Sequence, residues 1–249
     1  MSWKRNGIGF LLLFASASAA TPGQTANPAD AVYNTNTTLG ARHSISDFLP
    51  DANLNKKIWK QAKWVEIDHS MDGKTSFPAE KTRVAAVWTE KYVYFFFWCK
   101  YERLNVFEGE DSLKERWQLW NKDVVEVFLN PEPERLWHYY EFEVAPTNQW
   151  IDLEITGKGI ESHDAKWNSG FEHATHVDSR NHIWTAEMRI PLSSMNVSEP
   201  KVGMEWRANF YRATGLGSDE KRKFLAWSVI SEGTTFHAPN YFGTLRLAK

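Results

Sequence analysis

The chain has 249 residues, of which 42% are hydrophobic, 14% aromatic and 24% charged, and its formal net charge is -2 at pH 7. This charge gives no electrostatic argument for a nucleic-acid partner, which needs a concentrated basic surface. Its single cysteine excludes an intramolecular disulfide and a zinc site built from several thiolates. The 13 Trp, 15 Phe and 8 Tyr are more rings than a core needs, which favours a surface that binds a small molecule or a polymer.

The N-terminus has the pattern of an export signal. Lys4 and Arg5 precede an apolar stretch over residues 8–14, and small residues follow over 15–20. The pattern predicts a cleavable signal peptide over residues 1–20 and a secreted or periplasmic protein. Because the apolar stretch is much shorter than the ~20 residues of a membrane-spanning helix, we expect no membrane span. The alternative is that the N-terminal segment is retained as a membrane anchor.

Residues 21–44 follow, and at first they are mainly Thr, Asn, Ala, Pro and Gly, with almost no large apolar side chain. A stretch of this kind buries too little surface to offset its ordering entropy, so it predicts a flexible leader. No second linker of this composition occurs downstream. The simplest organisation is therefore one domain over residues 45–249.

The body of the chain alternates short β-type runs with turn residues. Ten such runs predict an all-β fold, an antiparallel β-sandwich of jelly-roll type with minimal helix. Only 56–64 and 113–120 have the periodicity of a short helix. The predicted strands are 82–88, 92–101, 123–130, 139–146, 150–155, 171–178, 183–190, 204–212, 223–230 and 243–247.

Alternation along three of these strands places polar side chains on one face. Successive side chains of a strand point to opposite faces, so strands 123–130, 139–146 and 204–212 each have an apolar face and a mixed face. If the three are neighbours, one surface presents Glu126, Glu143, Arg207, Asn209 and Tyr211. Carboxylate, guanidinium and amide groups flanked by rings can bind sugar hydroxyls, which both donate and accept hydrogen bonds.

Several segments occur in the order and spacing of a known family. The most specific is Trp120-Asn-Lys-Asp123-Val-Val-Glu126-Val-Phe128. On these segments the chain resembles the family 9 carbohydrate-binding modules and their relatives, from about Asp51 to Leu247. The supporting segments are 58–62, 82–88, 92–97, 140–144, 184–191, 226–228, 236–239 and 242–245.

The resemblance implies a β-sandwich that binds the end of a glycan chain between two aromatic side chains. Their positions correspond here to Trp120 and Phe236, where many members have a second Trp. Family members commonly have a basic residue near Glu143, and we expect Arg207 to supply that charge instead. The ligand-binding residues predicted in this way are Trp120, Glu126, Glu143, Arg207, Asn209, Tyr211, Phe236 and His237.

The resemblance also bears on cofactors and partners. It implies a non-catalytic protein whose partner is a polysaccharide or oligosaccharide of the xylan or cellulose type, and an association with secreted glycoside hydrolases. Structural calcium occurs in the family, but no segment has a run of oxygen ligands that identifies a calcium site.

Two other functions stay open. Glu141 and Glu143 lie two apart on one strand, roughly 7 Å by strand rise, which resembles the carboxylate pair of an inverting glycoside hydrolase. Such spacing is ordinary on exposed strands, and a catalytic acid also needs a desolvating pocket. A haem-binding sandwich would need an axial ligand in an apolar cavity, whereas Met188 and Met204 are interpreted as core residues.

Overall fold

A computed structural model describes residues 37–109, 114–164, 166–219, 221–231 and 233–249; the predicted signal peptide and the first part of the predicted leader lie outside them. Within these ranges the chain forms thirteen strands and one five-residue α-helix, α1 (Lys57–Gln61). The strands are β1 (Thr38–His43), β2 (Trp64–Ile67), β3 (Thr82–Trp88), β4 (Tyr92–Lys100), β5 (Val124–Asn130), β6 (Tyr139–Val144), β7 (Trp150–Ile155), β8 (His163–Asp164), β9 (Glu172–Asp178), β10 (Ile183–Pro191), β11 (Glu205–Thr214), β12 (Lys223–Ala226) and β13 (Gly243–Leu247).

The strands form one curled sheet whose two halves pack face to face. Their order is β8-β7-β6-β5-β11-β13-β1-β3-β4-β10-β9, with β12 beside β11 and β2 beside β3. The main core fills the space between the halves; the rings of Phe95 on β4 and Phe210 on β11, for example, lie 5.5 Å apart. The predicted all-β sandwich with minimal helix is confirmed. In the described part of the chain, no helix has the length and hydropathy needed to cross a membrane.

Alternation of side chains explains how the halves meet. Val125, Val127 and Leu129 of β5 point into the core, and the alternate side chains of the same strand point away from it. Strand β4 is apolar on both faces because it is covered on both. Phe95 faces the core, whereas Phe96 packs against Trp59 of α1 on the outer side. Each such fully buried side chain contributes about 1.5–3 kcal/mol.

Strand β1 lies inside the segment for which composition predicts a flexible leader. It pairs with β13 and with β3, in both cases in parallel, so the sheet is not purely antiparallel. Its buried apolar side chains are only Leu39 and Ala41. Backbone hydrogen bonds to two strands that are distant in sequence stabilise β1, and local hydropathy does not reveal such long-range pairing.

Three smaller differences from the sequence expectations concern β2, β8 and the predicted helix over 113–120. The two strands are short and were not predicted. In the described part of 113–120, only a 3-10 turn, Leu119–Asn121, begins.

The two methionines interpreted as core residues differ in burial. Met204 is 38% exposed, whereas Met188 is fully buried. Neither methionine lines the ligand-binding pocket.

Gly243, the first residue of β13, is expected to tolerate no side chain. A Cβ at this position would lie 2.8 Å from the carbonyl oxygen of Thr37 and 2.8 Å from Cζ3 of Trp227. Because both neighbours are held in the sheet or the core, Gly243→Ala should lower the free energy of unfolding by about 1–3 kcal/mol. Urea denaturation measures this change.

The matched control for this variant is Gly40→Ala on the neighbouring strand β1. There a Cβ would meet nothing closer than the Cβ of Ala248 at 3.7 Å, an ordinary contact. Its stability should stay within about 0.5 kcal/mol of the wild type. Equal stabilities of the two variants would contradict the packing described here.

Candidate ligand-binding pocket

A cavity of about 340 Å³ lies against the outer face of β5 and β6, away from the main core. Its volume is within the range of small-molecule sites, roughly 300–1,000 Å³. Four carboxylates, three of them buried and the fourth exposed, line it together with aromatic and apolar side chains and one guanidinium. The lining residues are Met71, Trp120, Asn121, Glu126, Phe128, Glu141, Glu143, Ile160, Ala213, Asp219, Arg222, Phe224, Thr234, Thr235, Phe236 and His237.

Strand register brings the carboxylates together. Glu126 on β5 is directly opposite Glu143 on β6, and Glu141 is opposite Phe128 in the next row. On the other side of β5, Tyr211 of β11 is opposite Glu126. Directly paired residues of antiparallel strands share a face with Cβ atoms about 4.5–5.5 Å apart. The predicted neighbourhood of these strands is therefore correct.

The three carboxylates are buried and poorly partnered. Glu126 and Glu141 are each 2% exposed and Glu143 is 0% exposed. One oxygen of each lies within 4.8 Å of the others, and among the described residues this is the one group of such atoms close enough to share a cation. Both oxygens of Glu143 and one each of Glu126 and Glu141 have no hydrogen-bond partner in the described part of the chain.

Burial changes the protonation of these groups. Desolvation raises the pKa of Glu126 well above its ordinary range, and the charge of Glu141 adds to the increase. Desolvation also raises the pKa of Glu143, with further contributions from Glu126 and Glu141. The interpretation of Glu141 and Glu143 as ordinary exposed strand residues is wrong, because loops cover this face of the sheet.

Two aromatic side chains border the carboxylates, each partly exposed. Trp120 lies in the 3-10 turn before β5, where the ring of Trp117 meets it edge to face at 5.0 Å. Phe236 lies in the loop before β13 and stacks on Tyr211, with ring centroids 4.0 Å apart and planes 9° from parallel. Because Tyr211 covers one face of Phe236, a ligand has the other face and the edge of the ring to contact.

Two basic side chains complete the pocket. Arg222 is buried and donates hydrogen bonds to the carbonyl oxygens of Trp120 and Lys122 at 2.8 and 2.7 Å, so it fixes the turn that carries the indole. His237 Nε2 lies 3.9 Å from a carboxylate oxygen of Glu141, and its Nδ1 is 2.8 Å from the hydroxyl of Tyr139.

Comparison with known proteins agrees with this architecture. The model of the carbohydrate family 9 binding domain-like family matches residues 51–249, about four-fifths of the chain. The chain belongs to this family.

Solved structures similar to this family 9 domain share its fold. A candidate carbohydrate-binding protein from Bacteroides uniformis has a TM-score of 0.66 at 18% identity, with 85% of this chain and 99% of that chain covered. A family 9 carbohydrate-binding module from Caldicellulosiruptor kristjanssonii in complex with cellotriose has a TM-score of 0.62 at 16% identity, with 85% and 93% covered. A family 9 carbohydrate-binding module from the same organism in complex with glucose has a TM-score of 0.62 at 16% identity, with 85% and 96% covered.

A fungal relative is similar in sequence. It is an extracellular protein of Arthroderma benhamiae, 23% identical to this chain over 192 residues, which cover 72% of this chain and 82% of the relative.

Five of the eight predicted ligand-binding residues of the family 9 domain line the pocket, and three do not. Those in the lining are Trp120, Glu126, Glu143, Phe236 and His237. Asn209 is fully buried and donates to the Tyr211 hydroxyl at 2.8 Å. That hydroxyl in turn donates to the carbonyl oxygen of Phe236 at 2.9 Å. Asn209 and Tyr211 therefore hold the loop of Phe236 from behind.

Arg207 does not supply charge to the pocket, which corrects the sequence expectation. It donates to the hydroxyl of Thr244 on β13 at 2.9 Å. It lies on the expected face of β11 but four residues before Tyr211, roughly 13 Å along the strand. The cation that lines the pocket is Arg222. It comes from the connection between β11 and β12, where the sequence has no periodic pattern that points to it.

The Tyr211 hydroxyl is expected to stabilise the Phe236 loop. Tyr211→Phe would leave the buried amide of Asn209 with one acceptor fewer and the Phe236 carbonyl without this donor. The free energy of unfolding should fall by about 1–3 kcal/mol, as measured by urea denaturation. Tyr92→Phe, on the other half of the sandwich, serves as the control. A change below about 0.5 kcal/mol in both variants would argue against this supporting role.

Proposed function

We propose that this protein is an exported, non-catalytic carbohydrate-binding protein. Its ligand is a polysaccharide or oligosaccharide of the xylan or cellulose type. The terminal sugar of the ligand chain binds between Trp120 and Phe236. The observation that carries the proposal is the pocket, where partly exposed rings and buried carboxylates line one cavity on a family 9 fold. The structural neighbours in complex with cellotriose and with glucose support this ligand class.

The chemistry of a pyranose matches this lining. Its C–H faces are apolar and its equator carries hydroxyls. Aromatic rings can cover the faces, each adding about 0.5–1.5 kcal/mol beyond the buried area if they behave like other aromatic contacts. The hydroxyls then need fixed partners, since an unpaired buried hydroxyl costs about 1–3 kcal/mol. The carboxylates of Glu126 and Glu143, protonated or ionised, supply such partners.

Export belongs to the same proposal. The N-terminal pattern of basic, apolar and small residues supports a signal peptide, and a relative is an extracellular protein. A secreted or periplasmic binding protein would work beside secreted glycoside hydrolases. Mass determination of the mature protein, exported by its own host, should show a start at Ala20 or Thr21; an intact residue 1 would contradict cleavage.

A glycan array followed by calorimetric titration with xylo- and cello-oligosaccharides tests the ligand class. We expect binding to at least one β-linked oligosaccharide, with one sugar chain per pocket. Absence of binding to every glycan of the array would defeat the proposal.

One observation favours a second candidate, a glycoside hydrolase. The buried carboxylates of Glu126, Glu141 and Glu143 have the desolvated environment that a catalytic acid needs. In that case Glu143 would donate a proton to the leaving oxygen, and Glu141 would act as the base that activates the water attacking the anomeric carbon. The test is release of reducing sugar from polysaccharide, abolished in Glu143→Gln. Binding without any release over long incubation leaves the non-catalytic proposal.

A further inference from the structure

The three pocket carboxylates lack a matching positive charge. Burying an ionised carboxylate is costly unless a cation or hydrogen-bond donors compensate it. The nearby basic groups are Arg222 and His237. Arg222 donates hydrogen bonds to two backbone carbonyls and to the exposed carboxylate of Asp219, and its charge only partly offsets the increase in the pKa of Glu126. His237 lies 3.9 Å from Glu141. Glu143 has no partner for either of its oxygens among the described residues. Burial raises the pKa of Glu126 and Glu143 for this reason. A cationic ligand group would compensate the charges and displace these protons, so the arrangement suits a positively charged ligand group.

The spacing of the oxygens defines the size of that group. Three atoms no more than 4.8 Å apart always leave a point within about 2.8 Å of each of them, which is 4.8 Å divided by the square root of three. Charge-assisted N–H···O hydrogen bonds have lengths of about 2.7–2.9 Å. An ammonium group has three N–H donors, one for each carboxylate, whereas a hydroxyl has a single donor.

We infer that the pocket selects a glycan residue with a free, protonated amine, such as a 2-amino-2-deoxyhexose, and that Glu126, Glu141 and Glu143 receive its three N–H bonds. The inference rests on the proposed function, because the sugar ring carrying the amine lies against Trp120 and Phe236. A calcium ion is the competing occupant. It takes six to eight oxygen ligands at about 2.3–2.6 Å, which three carboxylates supply only if they bind bidentately or if Asn121, Thr234 or Thr235 of the lining contributes.

The ring and the amine use different parts of one cavity. Phe128, Phe224 and Ile160 line it with apolar surface, which suits the C–H groups of a pyranose and offers no competing donors to the carboxylates. An N-acetylated sugar would present a neutral amide with one N–H and a bulkier group at the same position. The pocket should therefore discriminate between free and acetylated amines.

Calorimetric titration at about pH 6.5 with three matched trisaccharides tests the inference. These are the β-1,4-linked trimers of glucose, N-acetylglucosamine and glucosamine, which differ at the C2 substituent. We expect the glucosamine trimer to bind the wild-type protein at least about tenfold more tightly than the other two. In Glu141→Gln and Glu143→Gln, the glucosamine trimer should lose at least about tenfold in affinity relative to the glucose trimer, so that the preference for the amine disappears.

Glu199→Gln is the matched control, because Glu199 is an exposed carboxylate outside the pocket whose partner is Lys201. It should bind all three sugars like the wild type, and circular dichroism checks that every variant is folded. Equal affinity for the three trimers would overturn the selection for an amine and leave the sugar-binding proposal intact. Binding of the glucose trimer alone, or of any trimer only when calcium is added, would also overturn it. If no trimer binds, the inference is overturned as well, and the glycan array then decides the proposed function separately.

Discussion

At pH 8 the Glu143→Gln variant is expected to be more stable than the wild-type protein by at least about 1 kcal/mol. The wild-type pocket holds a fully buried carboxyl beside Glu126 and Glu141, and burial together with these charges raises its pKa well above the ordinary value of 4.5. At pH 8 the folded chain must therefore keep a proton that the unfolded chain releases, or bury an extra charge. Glutamine has nearly the same shape and removes this penalty.

The sign of the pH dependence follows from the same shift. Above pH 4.5 the folded state binds more protons than the unfolded state, so this group makes the free energy of unfolding fall as pH rises towards its folded pKa. The slope per proton reaches about 1.4 kcal/mol per pH unit. Burial raises the pKa of Glu115 to about 7, with a further increase from Asp152, and raises the pKa of Asp123 to about 6; both groups act in the same direction. His173, whose pKa falls to about 4, has the opposite effect between pH 4 and 6.5.

Urea denaturation of both proteins at several pH values between 5 and 8 measures the difference. Glu115, Asp123 and His173 are common to the two proteins, so their contributions cancel when the curves are subtracted. The stabilities should converge near pH 5 and diverge steadily above it. Glu199→Gln, with its exposed carboxylate, should follow the wild type throughout. Parallel curves for wild type and Glu143→Gln would contradict the raised pKa.

Loss of the Trp120 indole is expected to reduce sugar affinity by about 10- to 100-fold, which corresponds to about 1.5–3 kcal/mol. The ring is partly exposed, lines the pocket and belongs to a turn that Arg222 fixes through backbone carbonyls. A sugar face stacked on it would lose both the aromatic contact and the burial of apolar surface. Calorimetry with the best ligand of the glycan array measures the change in Trp120→Ala.

The control is Trp137→Ala, since Trp137 is also partly exposed but contacts Lys158 and does not line the pocket. Its affinity should match the wild type within about twofold. Both variants should keep the cooperative unfolding of the parent. Unchanged affinity in Trp120→Ala would show that the sugar binds elsewhere.

Local alternation was sufficient to predict the faces of the strands. Residues on β5 and β6 alternate between the main core and the outer face, so the sequence alone predicts that Glu126 and Glu143 lie together. The alternation of side chains gives the face of the sheet but not the position along the strand relative to the pocket. The sequence therefore predicts the correct face for Arg207 but not its distance from the pocket. Asn209 and Tyr211 were correctly placed on that face, whereas their role behind Phe236 depends on a loop far away in the sequence.

Two features depend on contacts that the sequence does not display. Glu141 is buried because loops cover this face of the sheet. A strand with a carboxylate at every second position has the same sequence pattern whether that face is covered or exposed to solvent. Arg222 reaches the turn of Trp120 across about a hundred residues of sequence. Strand β1 likewise forms through parallel ladders to β3 and β13. Long-range contacts of this kind have no local signature.

A crystal structure of the protein with an oligosaccharide of glucose or glucosamine tests the central claim most directly. We expect one pyranose ring within about 4 Å of both the Trp120 indole and the Phe236 ring, with a hydroxyl or amine bonded to Glu126 or Glu143. A sugar bound on another surface, or a pocket that stays empty while calorimetry shows saturation, would contradict the claim.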